Sequence, residues 1–136
     1  MAHESADGTR NRTDADWRAE LSEEEYRVLR ESGTEPAGTS ELTHVTDDGV
    51  FRCAGCGQTL FRTDEKYDSG TGWPSFWRPA ETDAVETKPD HGLLSTRTEV
   101  VCATCDGHLG HVFEDGPEPT GLRYCINGVA LEFDPK

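Results

Sequence analysis

The chain contains no apolar run long enough for a membrane helix, and its opening stretch, MAHESADGTRNRTDAD, lacks the apolar middle of a secretory signal. A soluble, cytoplasmic protein is expected. Lysine is scarce, with only Lys66, Lys88 and Lys136, and 13 basic residues face 27 acidic ones for a formal charge of −14. A field of that sign repels phosphate backbones and anionic lipid, which argues against nucleic acid and membrane partners. An acidic interaction tail is also absent, because the acids are spread evenly, 13 in residues 1–50 and 14 in the rest. Acid over the whole surface with little lysine is the pattern of adaptation to a salty cytoplasm, where screening relieves self-repulsion. With 136 residues there is room for one core and not two.

Five cysteines are present, and four of them form two C-x-x-C pairs, Cys53/Cys56 and Cys102/Cys105. In a cytosolic protein that spacing reads as a metal site before it reads as disulfides. Two thiolates on one tight turn face the same ion, and two such knuckles complete a closed tetrahedral S₄ site suited to Zn²⁺. A closed site leaves no open coordination position, so the metal is expected to be structural. It joins segments separated by 45 residues, which makes its binding energy folding energy. Redox-active C-x-x-C pairs are the alternative, but neither knuckle sits in a βαβ pattern. Two functional readings stay open here: an enzyme on a zinc-braced β domain, or a zinc-ribbon-like binding module in which Cys125 is merely buried.

Residues 1–15 are polar and aperiodic and read as a disordered tail before a single domain over 16–136. Ser22 and Glu25 form a capping-box pattern for a helix running to about Ser32, with Gly33 expected to end it in the left-handed conformation. Its narrow apolar face, Tyr26 and Leu29, suits packing on the rim. From residue 50 short apolar runs separated by turns predict strands at 50–53, 59–62, 93–102, 109–113, 122–127 and 129–133. Asn127-Gly128 predicts a two-residue hairpin between the last two. The expected architecture is therefore mainly antiparallel β.

In Leu122-Arg123-Tyr124-Cys125-Ile126-Asn127 the alternation puts Cys125 on one face with Arg123 and Asn127, away from the apolar set. A structural cysteine belongs among the apolar residues, and a guanidinium favours the reactive thiolate. Gly107-His108-Leu109-Gly110-His111-Val112-Phe113 places two histidines beside a knuckle. On a regular strand they point to opposite faces, so the backbone must bend if both act together. Trp73, in a glycine-bordered loop, is placed to line an apolar pocket, whereas His3, His44 and His91 read as ordinary surface histidines.

Taken in order, the knuckles, GWPSF, GHVF and RYCIN closely resemble methionine-R-sulfoxide reductases of the MsrB type, over about residues 17–133. The resemblance implies a β-tent fold, two small antiparallel sheets with N-terminal helices, and reduction of the R epimer of methionine sulfoxide in oxidised proteins. It implies Cys125 as catalytic cysteine, with His111, His108 and Asn127 as polar groups of the active site. Trp73 and Phe113 match the aromatic box for the substrate's S-methyl group, and Arg123 flanks it as a further substrate-binding residue. Many members carry a resolving cysteine just before GWPSF, where this chain has Thr71. A one-cysteine enzyme is expected, its sulfenic acid reduced by thioredoxin or a low-molecular-weight thiol, and its charge favours a monomer.

Overall fold

The computed structural model describes residues 13–91 and 96–136. Among the described residues two helices come first, α1 (Asp14–Glu20) and α2 (Glu23–Glu31), followed by nine strands. These are β1 (Gly49–Cys53), β2 (Thr59–Arg62), β3 (Lys66–Tyr67), β4 (Ser75–Phe76), β5 (Val85–His91), β6 (Thr96–Cys102), β7 (His108–Phe113), β8 (Arg123–Ile126) and β9 (Leu131–Pro135). All pairings are antiparallel, in a three-stranded sheet of order β2-β1-β9 and a six-stranded sheet of order β3-β4-β8-β7-β6-β5.

The expected mainly-β, two-sheet architecture is observed, and both helices start on capping boxes. Ser22 and Glu25 cap α2 as read from the sequence, while Thr13 and Asp16 do the same for α1. That second box starts α1 two residues inside the stretch expected to be tail, where Trp17 is buried against the core. The rest of the expected tail, residues 1–12, lies outside the described residues. Helix α2 buries Val28 as well as Tyr26 and Leu29, so its apolar face is wider than expected. Ser32, not Gly33, takes the left-handed position at φ 56°. The Ser32 N–H closes a six-to-one bond onto the Arg27 carbonyl, and the Gly33 N–H also donates to it at 2.9 Å, where a Cβ on Gly33 would meet Arg27 at 2.8 Å.

Aromatic rings join the two sheets. Phe51 and Phe61 come from the smaller sheet and meet Phe76 of the larger, with Phe61 stacked on Phe76 at 4.3 Å and Phe51 edge-on at 5.1 Å. Phe133 and Tyr124 extend the cluster from either side. The expected hairpin at Asn127-Gly128 does not form. A two-residue turn of that kind needs positive φ at both residues, whereas Asn127 sits at φ −68° and opens a short 3₁₀ turn, Gly128–Ala130. That turn carries the chain from β8 in one sheet to β9 in the other. Of the expected strand 93–102, Thr96–Cys102 is observed and residues 93–95 lie outside the described residues. Its partner β5 was not foreseen, because Thr87-Lys88-Pro89-Asp90 reads as polar coil.

Candidate active site and metal site

The two knuckles are built alike. In the first, Cys53 N–H donates to the Gln58 carbonyl and Gly57 N–H to the Cys53 carbonyl; in the second, Cys102 N–H donates to Gly107 and Asp106 N–H to Cys102. The residue after the second cysteine is left-handed in both, Gly57 at φ 83° and Asp106 at φ 65°. Folding brings Cys53, Cys56, Cys102 and Cys105 together with all four sulfurs within 4.8 Å of one another. Two edges of that cluster measure 3.7 Å (Cys53–Cys105) and 3.5 Å (Cys56–Cys102). A tetrahedron with metal–sulfur bonds of about 2.3 Å has edges of about 3.8 Å, so the cluster has the size to hold a metal ion.

The thiols cannot all ionise side by side without a cation. Hydrogen bonding to Cys102 pushes the Cys53 thiol up, and hydrogen bonding to Cys105 does the same to Cys102. Bonds received from Cys102 pull Cys56 and Cys105 down. The helices brace this cluster. Arg30 donates to the Cys105 carbonyl at 3.0 Å while lying over the Trp17 ring, and Gly55 leaves Trp17 only enough room that a Cβ would sit 3.3 Å from it.

The candidate active site is organised by strand register. Reading straight across the larger sheet, Tyr67 of β3 faces Ser75 of β4, which faces Cys125 of β8, then His111 of β7, then Glu99 of β6, then Lys88 of β5. Directly opposed residues in an antiparallel sheet share a face, with Cβ atoms about 4.5–5.5 Å apart. One face therefore carries an unbroken polar row with Cys125 near its middle. The opposite face of β8 holds Tyr124 and Ile126 in the core, as the alternation predicts.

The bend required at the histidines is present. Between Val100↔Gly110 and Val101↔His108 the register slips by one residue, so Leu109 is an extra residue on β7. The bulge turns His108 to the side of His111, with ring centroids 5.5 Å apart. His108 is buried and its Nδ1 lies 2.6 Å from Glu99 Oε2. His111 lines a cavity of about 310 Å³, and His108 stands behind it without lining the cavity.

Cys125, Asn127, Trp73, Phe113 and Arg123 line the same cavity, joined by Thr71, Gly110, Thr34 and Arg97. Asn127 Oδ1 accepts from Glu35 N–H at 2.9 Å and its Nδ2 donates one proton to the Leu109 carbonyl at 3.0 Å. An amide nitrogen has two protons, so one remains for a ligand. The Trp73 indole donates to the Glu35 carbonyl at 2.9 Å, which fixes the ring. Glu35 itself is buried and accepts from Val129 N–H. This residue, which ties the tryptophan loop to Asn127, was not found in the sequence; neither was Glu99, although its place in the β6 alternation marks it as sharing a face with Arg97.

Arg123 lines the cavity, and its charge favours the Cys125 thiolate. It forms a two-pronged bond to Asp115, at 2.9 and 3.1 Å, and stacks over Phe113. Burial pushes the Cys125 thiol up and outweighs the pull of the Arg123 charge in the other direction. The resting thiol is thus less acidic than the guanidinium alone implies.

Residues 21–135 match the SelR domain. A peptide methionine sulfoxide reductase MsrB of Thiobacillus denitrificans is 56% identical over 127 residues, covering 92% of this chain and 95% of that protein. The protein of the same name from Acinetobacter baylyi is 53% identical, covering 92% and 90%, and that from Leptospira interrogans 52%, covering 90% and 94%.

Proposed function

Because the chain belongs to the SelR-domain family of MsrB-type peptide methionine sulfoxide reductases, we propose that it reduces the R epimer of methionine sulfoxide in oxidised proteins, with Cys125 as nucleophile. The observation that carries this reading is the polar row, which sets Cys125 beside His111 in a cavity walled by Trp73 and Phe113. The Cys125 thiolate attacks the sulfoxide sulfur while His111 delivers a proton to the oxygen. Oxygen then passes to the cysteine sulfur as the new bond between the two sulfurs and the sulfur–oxygen bond of the substrate both break. The substrate gains two electrons and leaves as methionine, and Cys125 loses two and remains as a sulfenic acid. Asn127 holds the oxygen through its unused amide proton, and His108, paired with Glu99, orients His111 from behind. Trp73 and Phe113 receive the S-methyl group. A methyl pocket, an oxygen site and a fixed line of attack from Cys125 together admit one epimer.

Cys53, Cys56, Cys102 and Cys105 would hold Zn²⁺, which would supply a structural cross-link with no open coordination position. With those four on the metal and Thr71 at the resolving position, no intramolecular disulfide forms. One external thiol condenses with the sulfenic acid, releasing water, and a second displaces Cys125 from the mixed disulfide. Thioredoxin or a low-molecular-weight thiol fills that role, in a cytoplasmic monomer.

The deciding assay presents the separate R and S sulfoxides of a capped methionine to metal-loaded protein, in high salt with dithiothreitol, beside Cys125→Ser. Turnover of R alone, abolished in the variant, is expected. Folded, metal-loaded protein that turns over neither epimer would return the chain to a non-catalytic binding module.

A further inference from the structure

Glu35 is an acid in the interior. It follows α2 and is 3% exposed, and a carboxylate held there costs free energy unless its bonds recover the lost hydration. Its polar groups are turned to the walls of the cavity. The N–H donates to Asn127 Oδ1 at 2.9 Å, the carbonyl accepts the Trp73 indole N–H at 2.9 Å, and Oε1 accepts the Val129 N–H at 2.8 Å. Oε2 has no partner among the described residues. The bond to Val129 is therefore what this side chain contributes to the fold.

Sheet register does not aim the two walls. The β4–β8 pairing sets Ser75 opposite Cys125, but it leaves open where the Trp73 indole and the Asn127 amide point. Glu35 aims both. On Asn127 the Leu109 carbonyl can only accept and the Glu35 N–H can only donate. A turned-over amide would set donor against donor and acceptor against acceptor, so one orientation survives. It fixes where the second Nδ2 proton points. The indole N–H meets the carbonyl of the same residue, which fixes the ring. The bond from Val129 to Oε1 then fastens residue 35 to the 3₁₀ turn, Gly128–Ala130, that directly follows Asn127. Two walls take their spacing from one residue.

We infer that Glu35 is a positioning residue that sets the distance between the Trp73 ring and the Asn127 amide, and with it the fit of the substrate's methyl group and oxygen. It acts by the reach of its side chain to Val129. This rests on the reading of the cavity as a sulfoxide site. Both contacts exist already in the bound sulfoxide, and its oxygen loses negative charge as it is protonated. Neither contact strengthens at the transition state, so loosening them raises KM and spares kcat.

Two substitutions separate reach from charge. Glu35→Met keeps the length of the side chain and removes the acceptor, whereas Glu35→Gln keeps the acceptor and removes the charge. Hydrogen–deuterium exchange of the indole N–H groups, followed by NMR in metal-loaded protein, reads the hold on Trp73 without substrate. Trp73→Phe identifies its signal. Exchange at Trp73 is expected to be about tenfold faster in Glu35→Met, as for loss of one hydrogen bond. It is expected to stay at the wild-type rate in Glu35→Gln, with Trp17 and Trp77 unchanged in both. KM for the R sulfoxide of a capped methionine is expected to rise about tenfold in Glu35→Met, with kcat within about twofold, and to return in Glu35→Gln. If Glu35→Met does not fold, Glu35→Asp keeps the charge, draws the oxygens back by one carbon and is expected to give the same changes. Trp73 exchange at the wild-type rate in variants that cannot reach Val129 overturns the inference. So does a fall in kcat with KM unmoved, the mark of a smaller folded fraction. Glu35→Gln behaving as Glu35→Met overturns it too, since charge would then be the cause. The expected exchange pattern in protein that turns over neither epimer would sink the sulfoxide reading and leave the clamp standing.

Discussion

At Cys125 burial opposes charge. Burial holds the thiol above its ordinary range, while Arg123 pulls it down. A group with a raised pKa keeps its proton as pH rises past the ordinary value, so the reactive thiolate accumulates late. Alkylation of the free enzyme is expected to climb through and beyond pH 9, with a midpoint above that of a cysteine in an unstructured peptide of the same segment. A midpoint below the peptide's would show that Arg123 wins. Thr71 and Cys125 line the same cavity. A thiol at position 71 would share that cavity with Cys125, so Thr71→Cys is expected to yield a 71–125 disulfide after one turnover without reductant. Thiol counting and mass spectrometry would then find the disulfide in place of a trappable sulfenic acid.

At the level of elements, β-register does the positioning. Gly110 lets β7 approach β8 so closely that a Cβ would lie 2.1 Å from the Cys125 carbonyl oxygen. Backbone cannot give way like a side-chain tip, so Gly110→Ala is expected to cost about 3 kcal/mol in denaturant melts and to lower turnover by separating His111 from Cys125. Ser32→Gly is expected to add about 1 kcal/mol, because Ser32 holds a left-handed conformation that glycine adopts freely. The two changes mark what was legible in the sequence. Knuckles, capping box and the β8 alternation were readable because each is a local pattern whose cause lies within six residues. Asn127-Gly128 was misread because its glycine serves a distant contact: a Cβ there would strike Ser40 Oγ at 1.9 Å. The histidine bulge was legible only as a requirement, since pairing with β6 decides where the extra residue goes. Glu35 acts largely through backbone groups, which no side-chain pattern reports.

For the molecule as a whole, the cysteine cluster ties the β1–β2 turn to the β6–β7 turn, one knuckle from each sheet. Chelation is therefore expected to unfold the domain, seen as loss of the β circular dichroism signal with release of the metal. Retention of the native spectrum by metal-free protein would contradict this. The charge of −14 predicts higher melting temperature in molar potassium chloride than in dilute buffer; equal values would remove the case for salt adaptation. Methionine occurs once in the chain, at position 1, so the core is built without the residue on which its relatives, by name, act.

The second knuckle is the turn of the β6–β7 hairpin, between Cys102 and His108. Glu99 lies three residues before that turn and His111 three after its end, so a metal held there would fasten shut the strand pair that aims the proposed proton donor. Thiolates are themselves oxidisable. Oxidation of Cys56, the most exposed of the four, would release the fastening and loosen the histidines. The cluster is thus a fuse as well as a staple, wired in series with the active site and rated by how well Trp17 and the helices shield it.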